Sequence, residues 1–382
     1  MVSTIHWTEG HTSRSARWHS ESGVPLPRRT VVADDRTTAK DAYRQACEGT
    51  ALLWQGDYHN ARQLLQAMRR RIPRTPSTPT VSPSGSFHLH RRDSGHRARV
   101  LGKLLVLLDD DYTLALHRAP DVRRACLEAY GPPKEPREPT AVSLRELLGV
   151  IGAHQWRSKG IDVPALGTRI HPHYGVFAPT RGEYVDLVSQ TPLPPAPRRH
   201  PAATTAFDLG TGTGVLAAVL AHRGIGRVVA TDISPRALAC ARDNIHRLAL
   251  TERIDVSGPT LFPEGRADLV VCNPPWLPAR PVGPLEQGVY DPDSTMLHTF
   301  LTGLPTHVRP GGEGWLVLSD LAEHLGLRTR RQLLDAIRSA HLRVTDRIDT
   351  KPRHPRSQDT TDPLHMARSA ETVSLWRLTP AP

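Results

Sequence analysis

Residues 268–276 read Asp-Leu-Val-Val-Cys-Asn-Pro-Pro-Trp, an apolar run that delivers a carboxamide, two prolines and an aromatic ring to its C-terminal end. Ligands of open α/β sheets bind at the carboxyl ends of strands, so these residues fall where a site is expected. Asn273 offers a side-chain carbonyl acceptor, and a carbonyl of Pro274 or Pro275 offers another. Two acceptors held at fixed spacing grip both hydrogens of a planar NH2 group, while Trp276 stacks on the flat system that bears it. The four residues Asn273, Pro274, Pro275 and Trp276 therefore describe a clamp for a base amine or a carboxamide.

A second constellation precedes the first. Residues 204–208, Thr-Thr-Ala-Phe-Asp, read as a strand, and Leu209-Gly210-Thr211-Gly212-Thr213-Gly214 as the turn after it. A helix over 215–222 and a strand over 228–232 follow. Glycines let backbone approach a ligand closely, and a helix N-terminus presents free N–H groups. Because position 215 is Val, the order is G-x-G-x-G and not the G-x-G-x-x-G of dinucleotide folds, so no pyrophosphate needs cradling. Asp208 is expected near a ligand ammonium, and Asp232, ending the next strand, as the paired acceptor for two ribose hydroxyls. Thr211 in the turn and Ile233 beside Asp232 join the candidate cofactor residues.

Asp208 to Gly214 with Asp232, and Asn273 to Trp276, resemble class I S-adenosylmethionine-dependent methyltransferases. Within these, the chain is similar to the small-domain group of release-factor glutamine methyltransferases and ribosomal RNA amino-group methyltransferases. The likeness covers about residues 170–378. It implies a Rossmann-like, seven-stranded α/β sheet with a reversed C-terminal strand, and S-adenosylmethionine as cofactor. It further implies that Gly210, Gly212 and Gly214 line the cofactor, that Asp232 binds ribose, that Asn273 and the prolines hold the target nitrogen, and that Arg181 neighbours the cofactor's methionine end. Two departures stand out. Thr260 occupies the place where the group usually has an acid against the adenine amino group. Trp276 replaces the usual Tyr or Phe.

The elements that must position these residues divide the chain. Residues 1–35 show no sustained periodicity and read as an irregular basic segment. Residues 36–160 read as a mostly helical substrate-recognition unit: apolar positions recur at helical spacing through Trp54, over 58–68, over 100–108 and from Asp121, where Val122, Cys126, Leu127 and Tyr130 would face inward. Ser143 and Glu146 form a capping-box pair before a further helix. Pro-rich links fall at 72–86, 131–140 and 192–201. Residues 165–382 form the methyltransferase domain, with later strands over 314–319, from Arg343 and over 372–378. Leu277 to Tyr290 reads as a substrate-facing lid shaped by Glu286, Tyr290 and Asp291. His171 and His173 form a His-x-His pair without a third ligand at sensible spacing, so no metal is assigned. Ser319, Asp320 and His324 lie close together but lack a nucleophile elbow. Arg353, His354 and Arg356 sit in a polar loop.

The composition sets the outer limits. The 382 residues carry a net charge of +11, and residues 1–100 hold 16 Lys and Arg against 8 Asp and Glu, so most of the excess is N-terminal. A basic region of that kind fits a polyanion such as RNA. The four scattered cysteines contain no C-x-x-C pair and point to reduced thiols, hence a cytoplasmic protein. No apolar run is long enough to span a bilayer. Two acceptors satisfy the clamp: an exocyclic amine of ribosomal or transfer RNA, or a glutamine amide of a translation-related protein. A non-catalytic RNA- or partner-binding module of the same fold is a third reading, opposed by Asp232 and Asn273.

Overall fold

The computed structural model describes residues 3–73, 82–195, 201–283, 286–353 and 358–381. The chain divides into two units, one of residues 1–78 and 88–155, the other of residues 79–87 and 156–382.

The N-terminal unit departs from the helical expectation. Six strands, β1 (Thr4–Glu9), β2 (Thr12–Trp18), β3 (Thr30–Ala33), β4 (Ala51–Trp54), β5 (Leu104–Leu108) and β6 (Thr140–Ser143), form one sheet in the order β1-β2-β6-β5-β4-β3. Residues 1–35, expected to be irregular, supply three of these strands. The physical cause of the misreading is plain in β4 and β5. Ala51–Trp54 is buried at every position and Leu104–Leu108 at all but one. A strand covered on both faces reads as a continuous apolar run, which periodicity cannot tell from buried helix.

The helices of this unit fit their sequence better. α1 spans Ala39–Cys47 and is capped by Thr38. α2 spans Tyr58–Arg71 and buries Tyr58, Ala61, Leu64, Leu65 and Met68, with Asp57 accepting from the His59 and Asn60 amides as N-cap. α3 spans Pro83–Leu101, so helix replaces the end of the link expected over 72–86, while 74–81 lie outside the described residues. In α4 (Arg123–Tyr130) Cys126 is buried but Leu127 is 49% exposed, against the expectation that both face inward. α5 (Leu144–Lys159) lacks the predicted capping box: the Ser143 hydroxyl is buried without a partner, and Glu146 instead accepts the Glu21 amide.

The second unit is a doubly wound sheet. A short hairpin of β7 (Ile161–Val163) and β8 (Thr168–Ile170) leads to α6 (Glu183–Gln190). Then come β9 (Thr205–Leu209), α7 (Val215–His222), β10 (Arg227–Thr231), α8 (Pro235–Arg247), β11 (Ile254–Ser257) and β12 (Ala267–Cys272). The chain closes with α9 (Thr295–His307), β13 (Val308–Ser319), α10 (Leu321–His324), α11 (Arg330–Ser339), β14 (Leu342–Thr350), α12 (His365–Ala370) and β15 (Val373–Pro380). The seven strands order as β11-β10-β9-β12-β13-β15-β14. The first five are parallel, and β15 runs antiparallel to both neighbours, which is the expected reversed strand.

Alternation along the strands divides the core into two layers. Ala206, Leu269, Val271, Trp315, Val317, Val373 and Leu375 pack on one face against α6, α7 and α8. Phe207, Val270, Cys272, Leu316, Leu318, Trp376 and Leu378 pack on the other against α9 and α11. Side chains of a strand alternate between faces, so β9, β12, β13 and β15 each contribute to both layers. α7, Val-Leu-Ala-Ala-Val-Leu-Ala before its final His, is buried along its whole apolar length. Among the described residues no helix is long and apolar enough to cross a membrane.

Candidate active site

Strand register brings the two sequence constellations together. Leu209 pairs with Thr231 on one side and with Cys272 on the other. The residues that follow, Asp232, Gly210 and Asn273, therefore leave three adjacent parallel strands side by side. Neighbouring strands are about 4.8 Å apart, so the row fits within the span of one nucleoside-sized ligand. Chain order reverses between β9 and β12, which makes this edge the switch point of the sheet.

Gly210, Gly212 and Gly214 all have positive φ, at 72°, 56° and 81°. A side chain at Gly210 would run into Met296 Cε, whereas at Gly212 it would project into open space with nothing within 4 Å. The turn is tied to the sheet by its acids. Asp208 is 1% exposed, and its Oδ2 accepts from Thr211 Oγ1 at 2.6 Å and from the Ala217 amide at 2.9 Å. Burial pushes its carboxyl up to about 6 despite both donors. Asp208 thus staples the turn to α7 from beneath.

Half-buried Asp232 accepts the Gly212 amide at 3.0 Å on Oδ2 and the Ser234 amide at 2.9 Å on Oδ1. These amides leave the carboxylate with acceptor capacity for a further donor. Burial raises its pKa, partly offset by these amides. Ile233 is 71% exposed, an apolar side chain held in the open beside the acid. Thr260 stands next to Asp232: its amide donates to the Asp232 carbonyl at 3.3 Å, and its hydroxyl donates to the Phe262 carbonyl at 2.9 Å. Gly258 has φ 148° and closes on the Asp232 carbonyl, where a Cβ would stand at 2.6 Å.

At the end of β12, Pro274 is buried and Asn273, Pro275 and Trp276 are half-buried. Trp276 Nε1 donates to Asn273 Oδ1 at 2.9 Å. The Arg181 guanidinium lies 4.9 Å over the Trp276 ring. Arg181 also pairs with Glu183 at 2.7 Å and Glu371 at 3.1 Å, which commits it to buried acids and the acceptor loop. Glu371 Oε1 in turn accepts from Ser319 Oγ at 2.6 Å. Met296, Glu183 and Glu371 are site residues that sequence reading missed. Only Glu183 carried a local signal, two positions after Arg181.

Other expected groups have structural duties. His171 Nδ1 lies 2.6 Å from the Arg157 carbonyl and His173 Nε2 lies 3.1 Å from Asp243 Oδ2. Ser319 Oγ accepts the Leu321 amide, and His324 pairs with Asp320 at 3.5 Å. Leu277 bridges to Tyr290, and Asp291 caps α9 by accepting the Met296 and Leu297 amides. Glu286 accepts the Val282 amide. Residues 284–285 of the expected lid, like His354 and Arg356, lie outside the described residues.

The strand order and the Gly-rich switch point define a Rossmann-like methyltransferase fold. Residues 167–340 match the family model of the methyltransferase small domain. It is 32% identical over 164 residues to a release factor glutamine methyltransferase of Cereibacter sphaeroides, covering 39% of this chain and 57% of that protein. It is 48% identical over 71 residues to a ribosomal protein L11 methyltransferase of Pelotomaculum thermopropionicum, covering 18% of this chain and 23% of the relative. The match thus spans little more than half of the first relative and less than a quarter of the second. A methyltransferase from Pyrococcus furiosus superposes with a TM-score of 0.39 at 19% identity, covering 60% of this chain and 96% of the other.

Proposed function

We propose that this protein methylates a planar NH2 nitrogen, using S-adenosylmethionine, and that the acceptor is an exocyclic amine of an RNA base in the translation apparatus. The observation that carries the reading is the register-matched row of Asp232, Gly210 and Asn273 at the switch point. The donor set fits the cofactor. Asp232 retains acceptor capacity for a ribose diol, exposed Ile233 offers an apolar face beside it, and Gly212 leaves room where a side chain would intrude. The cofactor supplies a methyl group on a sulfonium sulfur. The chain's own residues orient the acceptor: Asn273 Oδ1 and a proline carbonyl draw the NH2 hydrogens, aligning the nitrogen lone pair for in-line attack. The leading contributions are positioning and electrostatics, without a strong base.

The choice of RNA is supported by the basic excess in residues 1–100. A glutamine amide is the second reading, favoured by the identity to a release factor glutamine methyltransferase. Incubation with radiolabelled S-adenosylmethionine and extract from cells lacking the protein separates them. Label lost to nuclease supports RNA; label that survives nuclease and is lost to protease sinks it. Asn273→Ala is expected to lower transfer at least about a hundredfold while S-adenosylmethionine affinity by calorimetry stays within about twofold. Full activity in that variant removes the clamp.

A further inference from the structure

We infer that Trp276 and Arg181 are positioning residues that lock the Asn273 carboxamide in one orientation, an inference resting on the function proposed above. A carboxamide presents an acceptor oxygen or a donor nitrogen according to a half-turn about its last bond, and only the oxygen can draw hydrogens from an acceptor NH2. The Trp276 indole N–H, 2.9 Å from Oδ1, selects the oxygen for that position, because a flipped amide would set donor against donor. It occupies one lone pair of Oδ1 and leaves the other for the methyl acceptor. Phe has no such N–H, and Tyr carries its hydroxyl at the far end of a different ring.

The indole is held in turn. Arg181 lies 4.9 Å over its centroid, fixed by Glu183, 2% exposed, and Glu371, fully buried. Ser319, at the end of β13, anchors Glu371 at 2.6 Å. A chain of contacts therefore runs from Ser319 through Glu371, Arg181 and Trp276 to Asn273. With the guanidinium covering one face of the indole, a flat acceptor can stack only on the opposite face.

The full-length protein tests this with Trp276→Phe and Arg181→Lys. Acceptor turnover is read with radiolabelled S-adenosylmethionine on total RNA from cells lacking the protein, and cofactor affinity by calorimetry. Trp276→Phe is expected to lower kcat about 5–10-fold, the worth of one well-aligned hydrogen bond, with KM for RNA and cofactor affinity within about twofold. Arg181→Lys keeps the charge but loses the planar stack, and is expected to lower kcat in the same direction by a smaller factor. Unchanged kcat in Trp276→Phe overturns the inference, as does a loss that appears only in thermal stability or cofactor affinity. Indole hydrogen exchange gives a measurement independent of catalysis: the Trp276 N–H should exchange at least about tenfold more slowly than that of Trp156, which is 53% exposed. Equal exchange rates overturn the lock even if either variant fails to fold. A wild-type protein that binds no S-adenosylmethionine and labels neither RNA nor protein defeats the proposed function instead, and leaves the exchange measurement to decide the orientation.

Discussion

Asp208 and Asp232 stand on either side of one turn and titrate for the same reason, burial, with different consequences. Asp208 has a folded pKa of about 6 against an ordinary value of 3.8, so the fold favours its protonated form. Its stabilising effect is complete below about 4 and is lost as pH rises through about 6, an expected loss on the order of 3 kcal/mol. Thermal unfolding followed from pH 4 to 7 should show that decline, and Asp208→Asn should flatten it. A cationic ligand favours the ionised carboxylate, so S-adenosylmethionine affinity should rise from pH 5 to 7.5 in wild type and much less in Asp208→Asn. Asp232→Ala removes the acceptor proposed for ribose and should weaken cofactor binding at least about tenfold by calorimetry. Unchanged affinity would undo the ribose assignment. These acids and glycines were legible because each sits within a few positions of its turn. Glu371 was not, because its partner Arg181 lies 190 positions away and only the folded sheet joins them.

The reversed strand β15 is pinned to β13 by a bidentate pair: Arg377 donates to Glu313 at 2.8 Å and 2.7 Å. Glu313 is 8% exposed, and Trp315 Nε1 also donates to it at 3.2 Å. Arg377→Ala leaves that carboxylate buried without its cation and should cost about 3 kcal/mol in denaturant unfolding. Adding Glu313→Gln should recover much of the loss, since the amide carries no charge and can still accept from Trp315. A double variant no more stable than the single one would deny the pairing its role. The strands of this half were readable because turns, acids and glycines bracket them. Ala51–Trp54 and Leu104–Leu108 had no such brackets, and their unbroken apolarity fits helix or strand alike.

Across the whole chain, a segment that matches the methyltransferase small domain follows an α/β unit that holds most of the net positive charge. If the acceptor is RNA, phosphate contacts dominate affinity, and RNA labelling should fall at least about tenfold between 50 and 200 mM salt at subsaturating RNA. Labelling indifferent to salt would speak for the amide acceptor. The C-terminal architecture was legible through a resemblance anchored on two motifs. The N-terminal architecture was not, since its sheet joins strands from opposite ends of the unit, as in the pairing of Arg17 with Thr140. The four cysteines carry a practical corollary. Cys126, Cys240 and Cys272 are buried, and burial lifts the Cys126 and Cys240 thiols to about 12 and that of Cys272 well above the usual range. Cys47 alone is exposed, so a maleimide dye or spin label should attach at one place on the native protein, in the N-terminal unit.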